Sequence, residues 1–295
     1  MSYNLTDRRT VKALLAAHGK ELTKALGQNF LIDGEVPPRI AQASGITEDC
    51  GVLEIGPGIG CLTVELARAA SKVVAVEIDG SLLPLLKETL AGFQNITVVN
   101  DDVLKLDLHQ LVEQEFPKME VHVCANLPYY ITTPILMKLL ESRLPVRKIT
   151  VMVQKEVARR LCAPPGGKEY GAITPVVHYY AIPQILFEVP ADSFFPAPKV
   201  DSAVVSLEIR EKPPVSAEEA KLFAVIRAAF SQRRKTLANC LMASGLFKGE
   251  KQRLETLLEE LGLSRTVRGE TLGLEQFAQL SEVLSRETGG AEVLR

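Results

Sequence analysis

The chain has 295 residues, 46% of them apolar and 24% charged, and its 34 Lys+Arg against 36 Asp+Glu leave a formal charge of −2. That length holds one large domain or two modest ones, each with its own core, and the apolar content excludes a disordered chain. The near-neutral balance excludes a histone-like polycation but leaves room for a local basic face. In chain order, residues 1–25 read as the start of an amphipathic helix followed by a linker, and Asp33 as a cap for a helix over 35–44. Short apolar or β-branched runs then predict strands at 51–55, 72–77, 96–100, 121–125, 148–154, 184–189 and 202–209. Helical patterns fall near 62–70, 81–91, 134–142 and 155–162. The first five strands are continuously apolar, as expected of strands covered on both faces. The alternation predicts an α/β fold, a Rossmann-like, doubly wound, mainly parallel seven-stranded sheet. The last two strands, joined by a short segment from Pro190 to Lys199, predict an antiparallel element at one edge. After Glu211-Lys212-Pro213-Pro214 no strand pattern remains, and helices are expected at 216–230, 234–243, 251–260 and 274–286. The expected domains are therefore 1–211, with 1–25 as an N-terminal extension, and a small all-helical domain at 212–295.

The five cysteines, Cys50, Cys61, Cys124, Cys162 and Cys240, are odd in number and scattered. No C-x-x-C or Cys/His spacing is present, which predicts neither a metal site nor a disulfide frame. The histidines are equally scattered. The N-terminus lacks an apolar core run and a small-residue cleavage site, and no stretch of about 20 apolar residues occurs. The expectation is a cytoplasmic protein in a reducing compartment.

Three carboxyl ends of strands carry chemistry. The first strand runs into Gly56-Pro57-Gly58-Ile59-Gly60 before a helix. Alternate glycines allow a sharp turn and a close ligand approach, beside the free N–H groups of a helix start. The second strand ends in Glu77-Ile78-Asp79, where an acid can accept hydrogen bonds from both hydroxyls of a ribose. The third ends in Asn100-Asp101-Asp102-Val103, whose carboxylate can reach an adenine amino group. Glycines after a strand also serve turns that merely pack. The G-x-G-x-G spacing is not the G-x-G-x-x-G of dinucleotide sites, and no Lys-Ser/Thr follows, which argues against an NAD-dependent oxidoreductase and excludes a P-loop. Glu54, Gly56, Gly58, Gly60, Glu77 and Asp102 together resemble the cofactor site of S-adenosylmethionine-dependent methyltransferases.

The fourth strand exits into Asn126-Leu127-Pro128-Tyr129-Tyr130. The exocyclic amine of adenine is a poor nucleophile because its lone pair is delocalised into the ring. Two acceptors holding its N–H groups would aim that lone pair at a methyl donor. Asn126 offers a side-chain carbonyl, and the main chain near Leu127-Pro128 offers a second, stiffened by proline. Tyr129 offers a ring for the base, a contact worth about 1–3 kcal/mol. A capped turn with a core tyrosine is the bland reading of the same residues. The segment is similar to the N-[LP]-P-[YF] signature of amino-methyltransferases that act on DNA, RNA or glutamine.

With Gln28-Asn29-Phe30-Leu31 before the sheet and Asn126-Leu127-Pro128-Tyr129-Tyr130 within it, the chain resembles the ribosomal RNA adenine dimethyltransferases. Gln154-Lys155-Glu156-Val157, the run FFPAPKVDSAVV from Phe194 to Val205 and FSQRRKTL from Phe230 to Leu237 extend the likeness over residues 27 to about 275. Phe195 and Ala197 depart from it. The resemblance implies a class I methyltransferase fold and S-adenosylmethionine as cofactor. It implies contacts to that cofactor from Asn29, Leu31, Gly56, Gly58, Glu77, Ile78, Asp102, Val103 and Asn126. It also implies a catalytic set of Asn126, Leu127, Pro128, Tyr129 and Phe194, in which Tyr129 and Phe194 sandwich the target adenine. The implied reaction is dimethylation of two adjacent adenosines in the 3′-terminal hairpin of small-subunit rRNA. The implied partner is an immature small (30S) subunit, met by a monomer with no membrane association. The large-subunit, antibiotic-resistance branch and a mainly non-catalytic assembly checkpoint are the alternatives.

Charge is uneven. Residues 138–168 carry eight Lys/Arg and two Glu, and residues 1–30 carry five Lys/Arg and two acids. Lys155, Arg159, Arg160, Arg233, Arg234 and Lys235 are the expected RNA contacts, although each is equally readable as part of a solvated helix face. A base stacked in a duplex cannot present its amine, so the target must be extruded or single-stranded.

Overall fold

The computed structural model describes residues 3–20 and 28–287. Residues 1–2, 21–27 and 288–295 lie outside the described residues, and with them parts of the expected N-terminal extension and the end of the chain. The described elements are α1 (Arg8–Ala17), β1 (Phe30–Leu31), α2 (Val36–Ala43), β2 (Gly51–Ile55), α3 (Cys61–Ala69), β3 (Lys72–Glu77), α4 (Leu83–Thr89), β4 (Ile96–Asn100), α5 (Leu108–Glu115), β5 (Val121–Asn126), α6 (Thr132–Glu141) and β6 (Val146–Gln154). They continue with α7 (Lys155–Leu161), α8 (Ile173–Tyr180), β7 (Ala181–Val189), β8 (Phe194–Phe195), β9 (Ser202–Ile209), α9 (Glu219–Ala229), α10 (Leu237–Ser244), α11 (Lys251–Glu260) and α12 (Leu274–Glu287).

Contacts divide the chain into two compact units, residues 1–158 with 183–209, and residues 159–182 with 210–295. The first unit is built on a seven-stranded sheet in the order β4-β3-β2-β5-β6-β9-β7. Strands β2 to β6 pair in parallel, and β9 runs antiparallel to β6. Strand β2 sits near the middle and is buried at every residue, whereas edge strand β4 is only partly covered. Cover on both faces thus holds for β2, β3 and β5, whereas β4 departs from that expectation because it is an edge strand. The sequence order reverses at β2, with β3 on one side and β5 on the other, so a crevice opens beyond their carboxyl ends. A two-residue antiparallel pair, β1 with β8, lies apart from this sheet and joins Phe30 to Phe195 and Leu31 to Phe194.

The second unit is helical, and it takes in residues 159–182, which a single cut near 212 assigns to the sheet domain. The reason is aromatic packing. Tyr179 and Tyr180 meet the ring of Phe223 edge-on, and Tyr170 packs on Phe230. The Tyr170 hydroxyl donates to the Leu272 carbonyl at 2.9 Å. Helix α8 had no counterpart in the sequence reading, because six of its eight residues are buried and no polar face marks its period. Helix α5 was missed as well. Its start is marked by Asp107, whose carboxylate accepts the Gln110 N–H at 3.0 Å, a cap that the sequence displays.

Candidate active site

The carboxyl ends of β2, β3, β4 and β5 border one cleft in the first unit. Asn29, Leu31, Gly56, Gly58, Glu77, Ile78, Asp102, Val103, Asn126, Leu127, Pro128 and Tyr129 all line it. Its first wall is the turn after β2. Gly56 and Gly60 hold φ of 69° and 91°, where a side chain is strained. A Cβ on Gly60 would also fall 2.9 Å from Leu90 Cδ2, while a Cβ on Gly56 would meet no protein atom. The backbone at Gly56 is thus open to a ligand in the cleft.

Glu77 closes the second wall. Its carboxylate accepts the N–H of Asp79 at 2.8 Å and of Gly58 at 3.2 Å, which locks the ends of β2 and β3 together. Burial nevertheless raises its pKa above the ordinary carboxylate value, since the backbone donors offset desolvation only in part. Glu54, deeper in the cleft, is fully buried, and desolvation, aided by the charge of Glu77, pushes its pKa up to about 8. Its Oε2 has no hydrogen-bond partner. The orphaned carboxyl oxygen and the open glycine backbone fit a ligand that carries hydrogen-bond donors and positive charge. Asp102 is held by the Leu104 N–H at 3.0 Å, and Ile78, 53% exposed, sets an apolar surface beside it.

The third wall is the exit of β5. The Leu127 N–H donates to the Met152 carbonyl at 3.1 Å. The Pro128 carbonyl accepts the Ile131 N–H at 3.2 Å and the Thr132 hydroxyl at 3.0 Å. It is therefore spent on the turn, which narrows the second main-chain acceptor to the Leu127 carbonyl. The Tyr129 hydroxyl is 2.5 Å from Ser202 Oγ on β9. Ser202 is fully buried, and this contact across 73 residues escaped the sequence reading. Burial lifts the Tyr129 pKa, so the phenol stays neutral. Neutral acceptors and a neutral ring suit an amine that must be oriented without being deprotonated first.

Phe194 does not line the cleft. It is 2% exposed and packs in the core with Leu31, Val189 and Val204. Of the expected RNA contacts, Lys155 pairs with Glu188 at 2.6 Å and with Asp201 at 3.9 Å. In the helical unit, Arg233 pairs with Glu270 at 2.9 Å and donates to the Lys168 carbonyl at 2.6 Å. Arg159 and Arg160 on α7 also have partners, whereas Arg234 and Lys235 are exposed. Among the described residues one group of metal-ligand type, Cys50, Glu120 and His122, is brought together that spacing did not suggest. It sits at the amino ends of β2 and β5, and His122 Nε2 lies 3.0 Å from Glu120 Oε1. No helix among the described residues is long and apolar enough to cross a membrane.

A family model described as ribosomal RNA adenine dimethylase matches residues 19–286. The ribosomal RNA small subunit methyltransferase A of Shouchella clausii (strain KSM-K16) is 51% identical over 281 residues, covering 95% of each chain. The protein of that name from Geobacillus thermodenitrificans (strain NG80-2) is 50% identical, over 95% of this chain and 96% of its own. Among solved structures, a dimethyladenosine transferase from Plasmodium falciparum is similar with a TM-score of 0.72 and 27% identity, over 88% of this chain and 98% of its own. The 23S rRNA methyltransferase ErmE is similar with a TM-score of 0.66 and 30% identity, over 87% of this chain and 100% of its own. With its sheet, its cleft and these relatives in agreement, the chain belongs to the ribosomal RNA adenine dimethylase family.

Proposed function

We propose that this protein dimethylates N6 of two adjacent adenosines in the 3′-terminal hairpin of small-subunit rRNA, acting as a monomer on an immature small subunit in the cytoplasm. Membership of the family makes it an S-adenosylmethionine-dependent rRNA adenine dimethyltransferase. Relatives named for the small subunit, at 45–51% identity, support that substrate over the large subunit named for ErmE.

The observation that carries the mechanism is the shared cleft. Asn126 and Tyr129 line the same space as the glycine turn, Glu77 and Asp102. S-adenosylmethionine, when bound, supplies a methyl group on a positively charged sulfur. Glu77 accepts hydrogen bonds from ribose hydroxyls, Asp102 accepts from an adenine amine, and the backbone at Gly56 and Gly58 lets the ligand lie close. Asn29, Leu31, Ile78 and Val103 complete the walls. The Asn126 side-chain carbonyl and the Leu127 main-chain carbonyl accept the two N6–H groups of the target and point its lone pair at the methyl. Pro128 stiffens that turn, and Tyr129 stacks on the base. Phe194 joins Tyr129 across the adenine only after its ring leaves the core. Each transfer would form the N6–carbon bond as the methyl–sulfur bond breaks, leaving a neutral thioether, and N6 would release one proton to water; after the first, one N6–H remains, so the amine turns about its C6–N6 bond and keeps one acceptor. Fixing the approach of nitrogen to methyl is the main source of rate. Residues 212–295 contribute docking by shape, with Arg234 and Lys235 as exposed cations for phosphates.

The test is methyl transfer from a labelled donor to purified small and large subunits lacking the modification, followed by nucleoside analysis. The expected product is N6,N6-dimethyladenosine from small-subunit rRNA. Label in the large subunit alone overturns the assignment.

A further inference from the structure

Two of the basic residues expected to meet RNA are tied to carboxylates, and the structure offers two cations elsewhere that are not. Helix α1 begins at Arg8, capped by Asp7, whose carboxylate accepts the Thr10 N–H at 2.8 Å. Its inner face buries Val11, Leu14 and Leu15 against Phe30, Ile59 and Leu85. That packing fixes which side chains turn outward, and Arg8 and Lys12, one helical turn apart, are both exposed. They converge on a single ring. The Arg8 guanidinium lies 4.9 Å and the Lys12 ammonium 5.1 Å from the centroid of Phe195. Among the described residues neither has an ion-pair partner. The ring attracts each cation, but the two cations repel each other, and an anion bound by both relieves that repulsion.

The position decides which anion. Phe195 pairs with Phe30 across β1 and β8, and Phe30 lines the cleft. Arg8 and Lys12 are thus linked, through the Phe195 ring, to the strand pair that carries Phe30 into the cleft wall. An adenosine extruded into that cleft remains attached to its phosphates, which must pass over its rim. We propose that Arg8 and Lys12, held on the Phe195 ring, bind an RNA backbone phosphate next to the target adenosine. This rests on the function proposed above and adds a site to it.

The variant Arg8→Gln/Lys12→Gln removes both charges and leaves the buried face of α1 intact. Its affinity for small subunits lacking the modification is measured across a series of KCl concentrations at fixed Mg²⁺. Losing a phosphate contact lowers the slope of log affinity against log salt by about 1, so a fall of about 1–2 and affinity about tenfold weaker are expected. S-adenosylmethionine affinity stays at the wild-type value, which also reports an intact fold. Arg8→Lys/Lys12→Arg keeps both charges and restores the slope. A double variant that binds the cofactor normally, with wild-type slope and subunit affinity, overturns the phosphate site while leaving the methylation reading standing. Wild-type protein that transfers no methyl to these subunits overturns that reading and the phosphate site with it.

Discussion

The two ends of the same parallel strands use their polar groups in opposite ways. At the amino ends of β2 and β3 the groups are consumed by the fold. The Gly51 N–H donates to the Glu120 carbonyl at 2.9 Å, and the Ser71 N–H to the Cys50 carbonyl at 3.0 Å. The Asn95 amide ties two carbonyls at the end of α3, those of Ala67 and Ala70, at 2.8 and 3.0 Å. His122 bonds Glu120 through Nε2, and its buried Nδ1, without a partner, is the exception. At the carboxyl ends, Gly56 faces open space, and among the described residues Glu54 keeps an unpaired oxygen and the Pro128 carbonyl is spent while that of Leu127 has no hydrogen bond outside regular elements. Polar groups that folding leaves unused are available to a substrate where they border open space, and the carboxyl ends border the cleft, whereas His122 Nδ1 at the other end is buried. Substitutions at the two ends should therefore separate cleanly into losses of catalysis and losses of stability.

The sharpest break is Asn126→Ala. It removes one of two acceptors for the target amine and touches no described strand-pairing hydrogen bond of its side chain. Methyl transfer is expected to fall about 10²–10⁴-fold, the range typical of lost orientation and polar stabilisation. S-adenosylmethionine affinity, read by calorimetric titration, should change little. Turnover near wild type would show that the carboxyl-end acceptors do not steer the reaction.

Glu54 tests whether the carboxyl end carries a folding cost. The folded carboxyl keeps its proton to about pH 8, against an ordinary value near 4.5. Between those values the unfolded chain has already released the proton while the folded chain retains it. The unfolded state then binds fewer protons, and stability falls as pH rises through that window. Glu54→Gln removes the effect. Its gain in unfolding free energy over wild type, read by denaturant titration, should be near zero below pH 4.5 and grow toward pH 8, where it reaches on the order of a few kcal/mol. A difference that stays flat across that range would mean that Glu54 ionises normally in the fold.

Gly51 tests the amino end. A Cβ there would overlap Cδ1 of the buried Phe116 ring. Gly51→Ala should cost about 1–3 kcal/mol of stability through overpacking. Below the unfolding transition, turnover per folded molecule should match wild type. A large loss of turnover in folded Gly51→Ala would show that the two ends are not independent.

How far the sequence displays this architecture depends on whether a signal is local. All seven strands of the large sheet are legible from apolar or β-branched runs, continuous in the inner strands that are covered on both faces and short or interrupted in the partly covered edge strands β4 and β7. The ten cleft residues taken from motifs at strand ends also come together, since carboxyl ends of neighbouring parallel strands are neighbours by construction, and Asn29 and Leu31 join them from the separate β1 segment. What was hidden is non-local or lacks a period. The pairing of Phe30 with Phe195 and the stacking of Arg8 and Lys12 on that ring depend on contacts that no window of sequence contains. Helix α8 has no exposed face to read. Phe194 shows the limit of a motif, which names a residue without fixing its rotamer, and the ring lies in the core beside Leu31.

The contact between Tyr129 and Ser202 belongs to that hidden class and predicts the mildest change. Ser202 makes no direct approach to the cleft. Its hydroxyl meets Tyr129 Oη at 2.5 Å and so sets the plane of the ring on which the base stacks. A buried hydrogen bond of this kind contributes about 0.5–1.5 kcal/mol, which corresponds to roughly a two- to twelvefold change in rate. Ser202→Ala should lower kcat by that factor and leave cofactor affinity intact. Tyr129→Phe should do the same, because it deletes the other half of one bond. The double variant is the discriminating measurement. If ring position is the only route from Ser202 to the reaction, the two losses do not add, and the double variant is no slower than the worse single one. Fully additive losses would place the effect of Ser202 in the packing of β9 and leave the ring of Tyr129 to be held by its neighbours alone.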